Sequence, residues 1–230
     1  MHGLSHRWAR LWFAATALCV GVGVALSVVS AVHNTGGHFH SGVARGFNAF
    51  AFFTIDSNLI VGATTGLLAL RLQRDGMVFR VARLTGLVCI TVTGVVYHVA
   101  LAHLLELDSW DLVADQLVHT VVPLTAVVGW LVFGPRRLIS GRVVWLSLVF
   151  PVLWLAFTLA RGAAISWYPY PFVDVSHLGY AKALVNCLWV AVLLLGLAAG
   201  AWLLDRWLAP RSSAATAPDG RLAEHATADR

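Results

Sequence analysis

Charge is what this chain has least of. Only 12% of its 230 residues are Asp, Glu, Lys or Arg, too few to cover the surface of a water-soluble domain. Lysine occurs once, as Lys182, so the net charge of +5 is carried by arginine. The arginines stand in short clusters between apolar runs, the pattern of a topology signal, and no nucleic-acid partner is expected. The three cysteines, Cys19, Cys89 and Cys187, lie inside apolar runs and form no CxxC pair. That excludes a disulfide framework and a thiolate metal cluster, leaving them as packing residues. A glycine-rich nucleotide loop, an internal repeat and a heptad seam are also missing.

What is abundant is apolar length. The mean hydropathy is +0.77, and six apolar stretches each approach the roughly 20 residues that cross a hydrocarbon core. They run approximately over Leu11–Val32, Asn48–Leu70, Phe79–Leu105, Leu112–Phe133, Val143–Ile165 and Leu178–Leu204. Without water to satisfy the backbone, helices are the spanning form, since barrel strands would be shorter and would alternate. The expected fold is an all-α bundle of six transmembrane helices over residues 1–208, followed by a disordered cytoplasmic tail over 209–230. The uncharged core of the first stretch is about twice the length of a signal-peptide core, favouring an uncleaved helix, with SVVSA as the competing cleavage site.

Arg7 and Arg10, the group Arg71, Arg74, Arg80 and Arg83, then Arg136, Arg137 and Arg142, and finally Arg206 and Arg211 share one side of this topology. By the positive-inside rule both termini are expected in the cytoplasm of a cell-membrane protein. The aromatic loop SWYPYPFVDVSH then falls outside, with Trp167, Tyr168, Tyr170 and Phe172 as anchors at the membrane boundary.

Polar residues inside the apolar runs concentrate toward that outer side. Thr54 and Asn58 belong to the second stretch, Tyr97 and His98 to the third, Asp115 and His119 to the fourth, Arg161 to the fifth, and Lys182 and Asn186 to the sixth. At 1.5 Å per residue Thr54, His98 and His119 are expected about 9–11 Å inside their helix ends. The pairs Thr54/Asn58, Asp115/His119 and Lys182/Asn186 are each four apart and share a helix face. A charge near the bilayer centre costs roughly 2.5–3.5 kcal/mol, so Asp115 is expected to pair with Arg161 or Lys182 in a common pocket. Pro123 lacks the N–H that the carbonyl of His119 would use, either freeing an acceptor there or simply kinking the helix.

These residue types include those of an acyl-transfer site. A hydroxyl attacks an ester once a neutral imidazole takes its proton, and a carboxylate can hold that imidazole. Thr54 would be the nucleophile, His119 the base and Asp115 its orienting group, with no cofactor required. Asn58 and Arg161 are candidates for oxyanion or carboxylate contacts, and Tyr97, His98, Lys182 and Asn186 for other substrate contacts. Other readings use the same residues. Thr54 can bond back to the carbonyl of Phe50. His98 and His119 could ligate a haem, and His33, His38, His40 and His103 a metal. A non-catalytic lipid-binding or transport protein would also gather polar groups in a pocket.

Four segments together, FFTIDSN, VTGVVYH, DQLVHTVVP and RGAAISWYPYPFVD, resemble the bacterial six-helix branch of the androgen-induced and androgen-dependent membrane proteins. Animal members of that family are threonine-dependent hydrolases of fatty acid esters of hydroxy fatty acids. The resemblance implies that Thr54 and His119 stand at the positions of the family's threonine and histidine. It implies a lipid or fatty acid ester as partner, without fixing which lipid.

Overall fold

A computed structural model describes residues 2–209 except 36, 105, 106 and 108. Six helical segments are long and apolar enough to cross a membrane: Ser5–His33, Phe53–Leu70, Met77–Leu104, Ser109–Phe133, Gly141–Ile165 and Val175–Trp207. No strand occurs among the described residues. The chain is therefore an all-α multi-pass membrane protein. Of the tail expected over 209–230, everything beyond Ala209 lies outside the described residues.

The third span is the most buried of the six and forms the axis of the bundle. On one side Leu84, Val88 and Val92 pack with Trp130, Val143, Leu194 and Ala198 of the fourth, fifth and sixth spans. On the other Ile90 packs with Val20, Val61 and Val122 of the first, second and fourth. Close approach depends on small residues at the crossings. A Cβ at Gly94 would stand 3.2 Å from the ring of Pro123 and 3.3 Å from the carbonyl oxygen of His119. Leu18, Val99, Leu124, Leu153, Leu188 and Leu203 instead cover the outside of the bundle, where lipid replaces water as their solvent.

Several spans are interrupted, and the interruptions shape the site. The second span starts at Phe53, not near Asn48 as its hydropathy suggests. Gly42–Asn48 forms a separate short helix capped by the Ser41 hydroxyl, and the backbone turns extended at Phe52. Thr54 consequently sits in the first turn of its helix instead of 9–11 Å within it. The third span passes from α-helix into a π-turn at Tyr97–Leu101. The fourth does the same at Leu117–Val121, just before Pro123. Pro151 withholds an N–H from the carbonyl of Ser147, and the Thr85 hydroxyl supplies one at 3.3 Å.

The end that carries the start of the first span and the end of the sixth holds most of the arginines among the described residues, but not all of them face outward. Arg83 is buried, its guanidinium 5.5 Å from the centre of the Phe13 ring. It is thus part of the interior, although it belongs to the arginine group that surrounds the second connection.

Candidate active site

Helix geometry prepares the position of Thr54. The first-turn N–H groups of a helix have no intrahelical acceptor, and that of Thr54 donates to the phenol oxygen of Tyr170 at 3.1 Å. Tyr170 is held by the loop after the fifth span, where Pro171 keeps the residue before it extended (φ −137°, ψ 142°) and opens the 3-10 turn Pro171–Val173. Its ring stacks on Phe172 at 5.3 Å and meets Phe52 edge-on at 5.6 Å. The loop is anchored by Asn186, which donates to the Phe172 carbonyl at 2.9 Å. The Trp154 indole donates to the Ala51 carbonyl at 3.2 Å and fixes the break before the second span. Burial pushes the Tyr170 phenol up to about 12, so it remains a donor at neutral pH.

The fourth span supplies an imidazole and a carboxylate. The Thr54 Oγ1 lies 3.2 Å from His119 Nε2, and His119 Nδ1 lies 2.8 Å from Asp115 Oδ1. The other carboxylate oxygen accepts from the Tyr97 hydroxyl at 2.5 Å. The Tyr97 ring also stacks on the imidazole, with centroids 3.9 Å apart and planes 7° from parallel. Both Tyr97 and His119 belong to π-turns, the local widening of a helix often found at functional sites. An ionised Asp115 requires the proton on Nδ1, leaving Nε2 to accept from Thr54. Tyr170, whose oxygen is 3.2 Å from Oγ1, then donates to it. Every donor along this chain has an acceptor.

The sequence-derived residues divide sharply. Thr54, Asp115, His119 and Tyr97 come together. Asn58 does not face substrate: its amide donates to the carbonyls of Thr54 at 2.8 Å and Val118 at 3.1 Å, tying the second span to the π-turn of His119. Arg161 does not meet Asp115; it donates to Asn48 Oδ1 at 2.8 Å and lies 4.9 Å from the centre of the Trp167 ring. Lys182 is exposed on the outside of the sixth span. The expected ion pair does not form; the Tyr97 hydroxyl and the His119 imidazole meet the two carboxylate oxygens instead. His98 is exposed and bonds Thr120 at 3.1 Å, so it does not share a cavity with His119 as a haem ligand would. Asn186 positions the loop and not the substrate. Thr54 makes no bond to the Phe50 carbonyl, because its hydroxyl is turned into the bundle. Among the described residues no three His, Cys, Asp or Glu side chains converge as a metal site.

Tyr170 is the residue sequence reasoning missed. Its aromatic neighbourhood reads as a boundary anchor, and only the prolines on both sides hint that its direction is fixed. Asn58→Ala would remove two buried side-chain hydrogen bonds, including the tie between the second span and the Val118 carbonyl, costing about 1–3 kcal/mol. A melting point several degrees lower in detergent is expected, with intrinsic fluorescence as the readout.

Two cavities meet at this constellation. One, of about 280 Å³, lies among the second, third, fifth and sixth spans and is lined chiefly by apolar side chains such as Val92, Leu148, Val152 and Leu194. The other, of about 650 Å³, opens among the first span, its following loop and the aromatic loop, and is bordered by Arg45, Asn48, His38 and Trp167. Thr54, Tyr97, His119 and Tyr170 border both. Comparison with protein-family models, with curated proteins and with solved structures finds no match for the chain.

Proposed function

We propose that the protein is an integral membrane hydrolase of lipid carboxylic esters. The observation that carries this reading is the Thr54–His119–Asp115 relay standing where an apolar cavity joins a more polar one. The acyl chain occupies the apolar cavity and the alcohol portion faces the polar one. His119 Nε2 takes the Thr54 proton as Oγ1 bonds to the carbonyl carbon. Tyr170, already beside Oγ1, turns its O–H to the oxyanion on the same carbon. Asp115, held by Tyr97, stabilises the imidazolium. His119 returns the proton to the departing alkoxide, leaving an acyl ester on Thr54. Water then adds with His119 again as base; the C–Oγ1 bond breaks, Thr54 regains its proton, and the fatty acid leaves.

The family resemblance of FFTIDSN, DQLVHTVVP and WYPYPF supports the same reading. The arginine clusters support a cell-membrane location with both termini cytoplasmic, and with it a site toward the outer leaflet. The test is hydrolysis of a panel of fatty acyl esters by the wild type in lipid nanodiscs. Release of free fatty acid that disappears in Thr54→Ala is expected. A wild type that cleaves none of the panel contradicts the proposal and favours a lipid carrier or binding protein.

Tyr170→Phe removes one oxyanion donor and is expected to lower kcat about 10²–10³-fold, measured on the best ester of that panel. The alkaline limb follows from the same group. Its protonated form is favoured by the fold, so the O–H is fully present below the ordinary value of 10.0 and is lost as pH rises toward about 12. Wild-type activity should therefore show no fall from phenol ionisation up to pH 10, checked with a pH-stable ester.

A further inference from the structure

The fifth and sixth spans are fastened together at both ends and part between them. At the end away from Thr54, Val143 and Ala198 belong to one packed cluster and are fully buried. At the Thr54 end, Asn186 of the sixth span holds the Phe172 carbonyl of the loop that follows the fifth. Between these fastenings the apolar cavity takes a stripe of side chains from each span, Leu148, Val152 and Leu155 from the fifth and Cys187, Ala191 and Leu195 from the sixth. Spacings of three or four residues keep each stripe on one helix face. Three of the residues that wall this cavity are also exposed on the outside of the bundle, Trp145 by 72%, Val152 by 63% and Leu195 by 44%. A side chain that walls a cavity and also faces outward stands at an opening. In a membrane-spanning segment that opening meets lipid tails, not water.

We infer that the gap between the fifth and sixth spans is a lateral portal, through which the acyl chain of a bilayer lipid reaches Thr54 and out of which its far end projects. The direction of the chain rests on the reading of Thr54 and His119 as the ester-cleaving pair, which puts the carbonyl at the end of the cavity that Thr54 borders. The cavity of about 280 Å³ is filled by roughly nine methylenes, each close to a water molecule in volume at about 30 Å³. Carbons beyond that number pass between Val152 and Leu195 and stay in the lipid. The open side therefore sets no upper limit on chain length. Cavity wall and lipid tails are alike in being apolar, so each added carbon changes affinity little once the acid is in the bilayer. The substrate class that fits is an ester resident in the bilayer with an acyl chain longer than about ten carbons.

Binding separates this inference from catalysis, because a free acid is not cleaved. The full chain in nanodiscs is titrated with decanoate, tetradecanoate and octadecanoate, read by tryptophan fluorescence, each acid being expressed as its mole fraction in the bilayer. Dissociation constants within about threefold of one another are expected for the wild type. Val152→Trp combined with Leu195→Trp enlarges two lipid-facing side chains beside the gap. That variant should bind decanoate as the wild type does, which also shows that it folds, and octadecanoate at least about tenfold more weakly. Hexadecanoate with a diazirine on its terminal carbon locates the far end of the chain. The label that excess hexadecanoate suppresses should fall on peptides of the fifth or sixth span containing Val152 or Leu195. A wild type that binds octadecanoate tenfold more weakly than decanoate overturns the inference. So do a double variant that binds octadecanoate normally, suppressible label on the first or second span, and the absence of saturable binding by any of the acids. If the portal results hold but no ester is cleaved, the chain-binding site stands and the hydrolase reading fails; cleavage with a sharp limit on chain length leaves the hydrolase and removes the portal.

Discussion

Replacing Thr54 by alanine is expected to lower ester hydrolysis by at least about 10⁴-fold, because removal of a nucleophile leaves only the binding and oxyanion contributions. Thr54 is 7% exposed, and its hydroxyl is bonded to His119 and Tyr170. The backbone N–H that docks on Tyr170 survives the substitution. The variant should therefore fold, and its melting point should stay near that of the wild type. Thr54→Ser preserves the attacking oxygen and should keep most of the activity. A Thr54→Ala enzyme within about tenfold of wild type would remove Thr54 from the reaction, since rate losses of that size are ordinary for a displaced binding contact.

Asp115→Asn is expected to cost about 10³–10⁴-fold in kcat. The asparagine can accept the Tyr97 hydroxyl through its oxygen and turn its amide toward His119 Nδ1. That amide donates, so Nδ1 must become the acceptor and the proton moves to Nε2. The nitrogen 3.2 Å from Thr54 would then carry a hydrogen and could not take another. Because the side chain is nearly isosteric, thermal stability should change little while kcat collapses. The loss is distinguished from a packing defect by Tyr97→Phe. That variant leaves one carboxylate oxygen without its hydroxyl but preserves the tautomer, so its effect should be smaller, about tenfold. If Asp115→Asn and Tyr97→Phe were equally mild, the carboxylate would be a structural acceptor.

Much of this arrangement is legible in the sequence, and the reasons are geometric. Asp115 and His119 are four residues apart, and that spacing brings their side chains together even where the helix loosens into a π-turn, because the contact spans a single turn. Thr54 and Asn58 share a face for the same reason, although Asn58 uses it to grip the Thr54 carbonyl. The six spans follow from hydropathy because lipid demands intrahelical hydrogen bonds of any crossing segment.

The break at Phe52 is hidden because the residues on both sides are equally apolar, and hydropathy carries no record of backbone direction. The partner of Asp115 is hidden for a different reason. Charge counting pairs it with Arg161 or Lys182, yet a tyrosine and a histidine satisfy both of its oxygens. Lys182 and Asn186 share a nominal face, yet Asn186 turns to the Phe172 carbonyl while Lys182 stays exposed. Tyr170 reaches Thr54 across 116 positions of sequence, and no local pattern encodes a contact so distant.

The most direct measurement is mapping of a covalent fluorophosphonate adduct by peptide mass spectrometry on the full chain in nanodiscs. The account predicts an adduct on the hydroxyl of Thr54 in the wild type and none in His119→Ala, whose threonine keeps its place but has lost its base. An adduct on another residue, or unchanged labelling of Thr54 without His119, would contradict it.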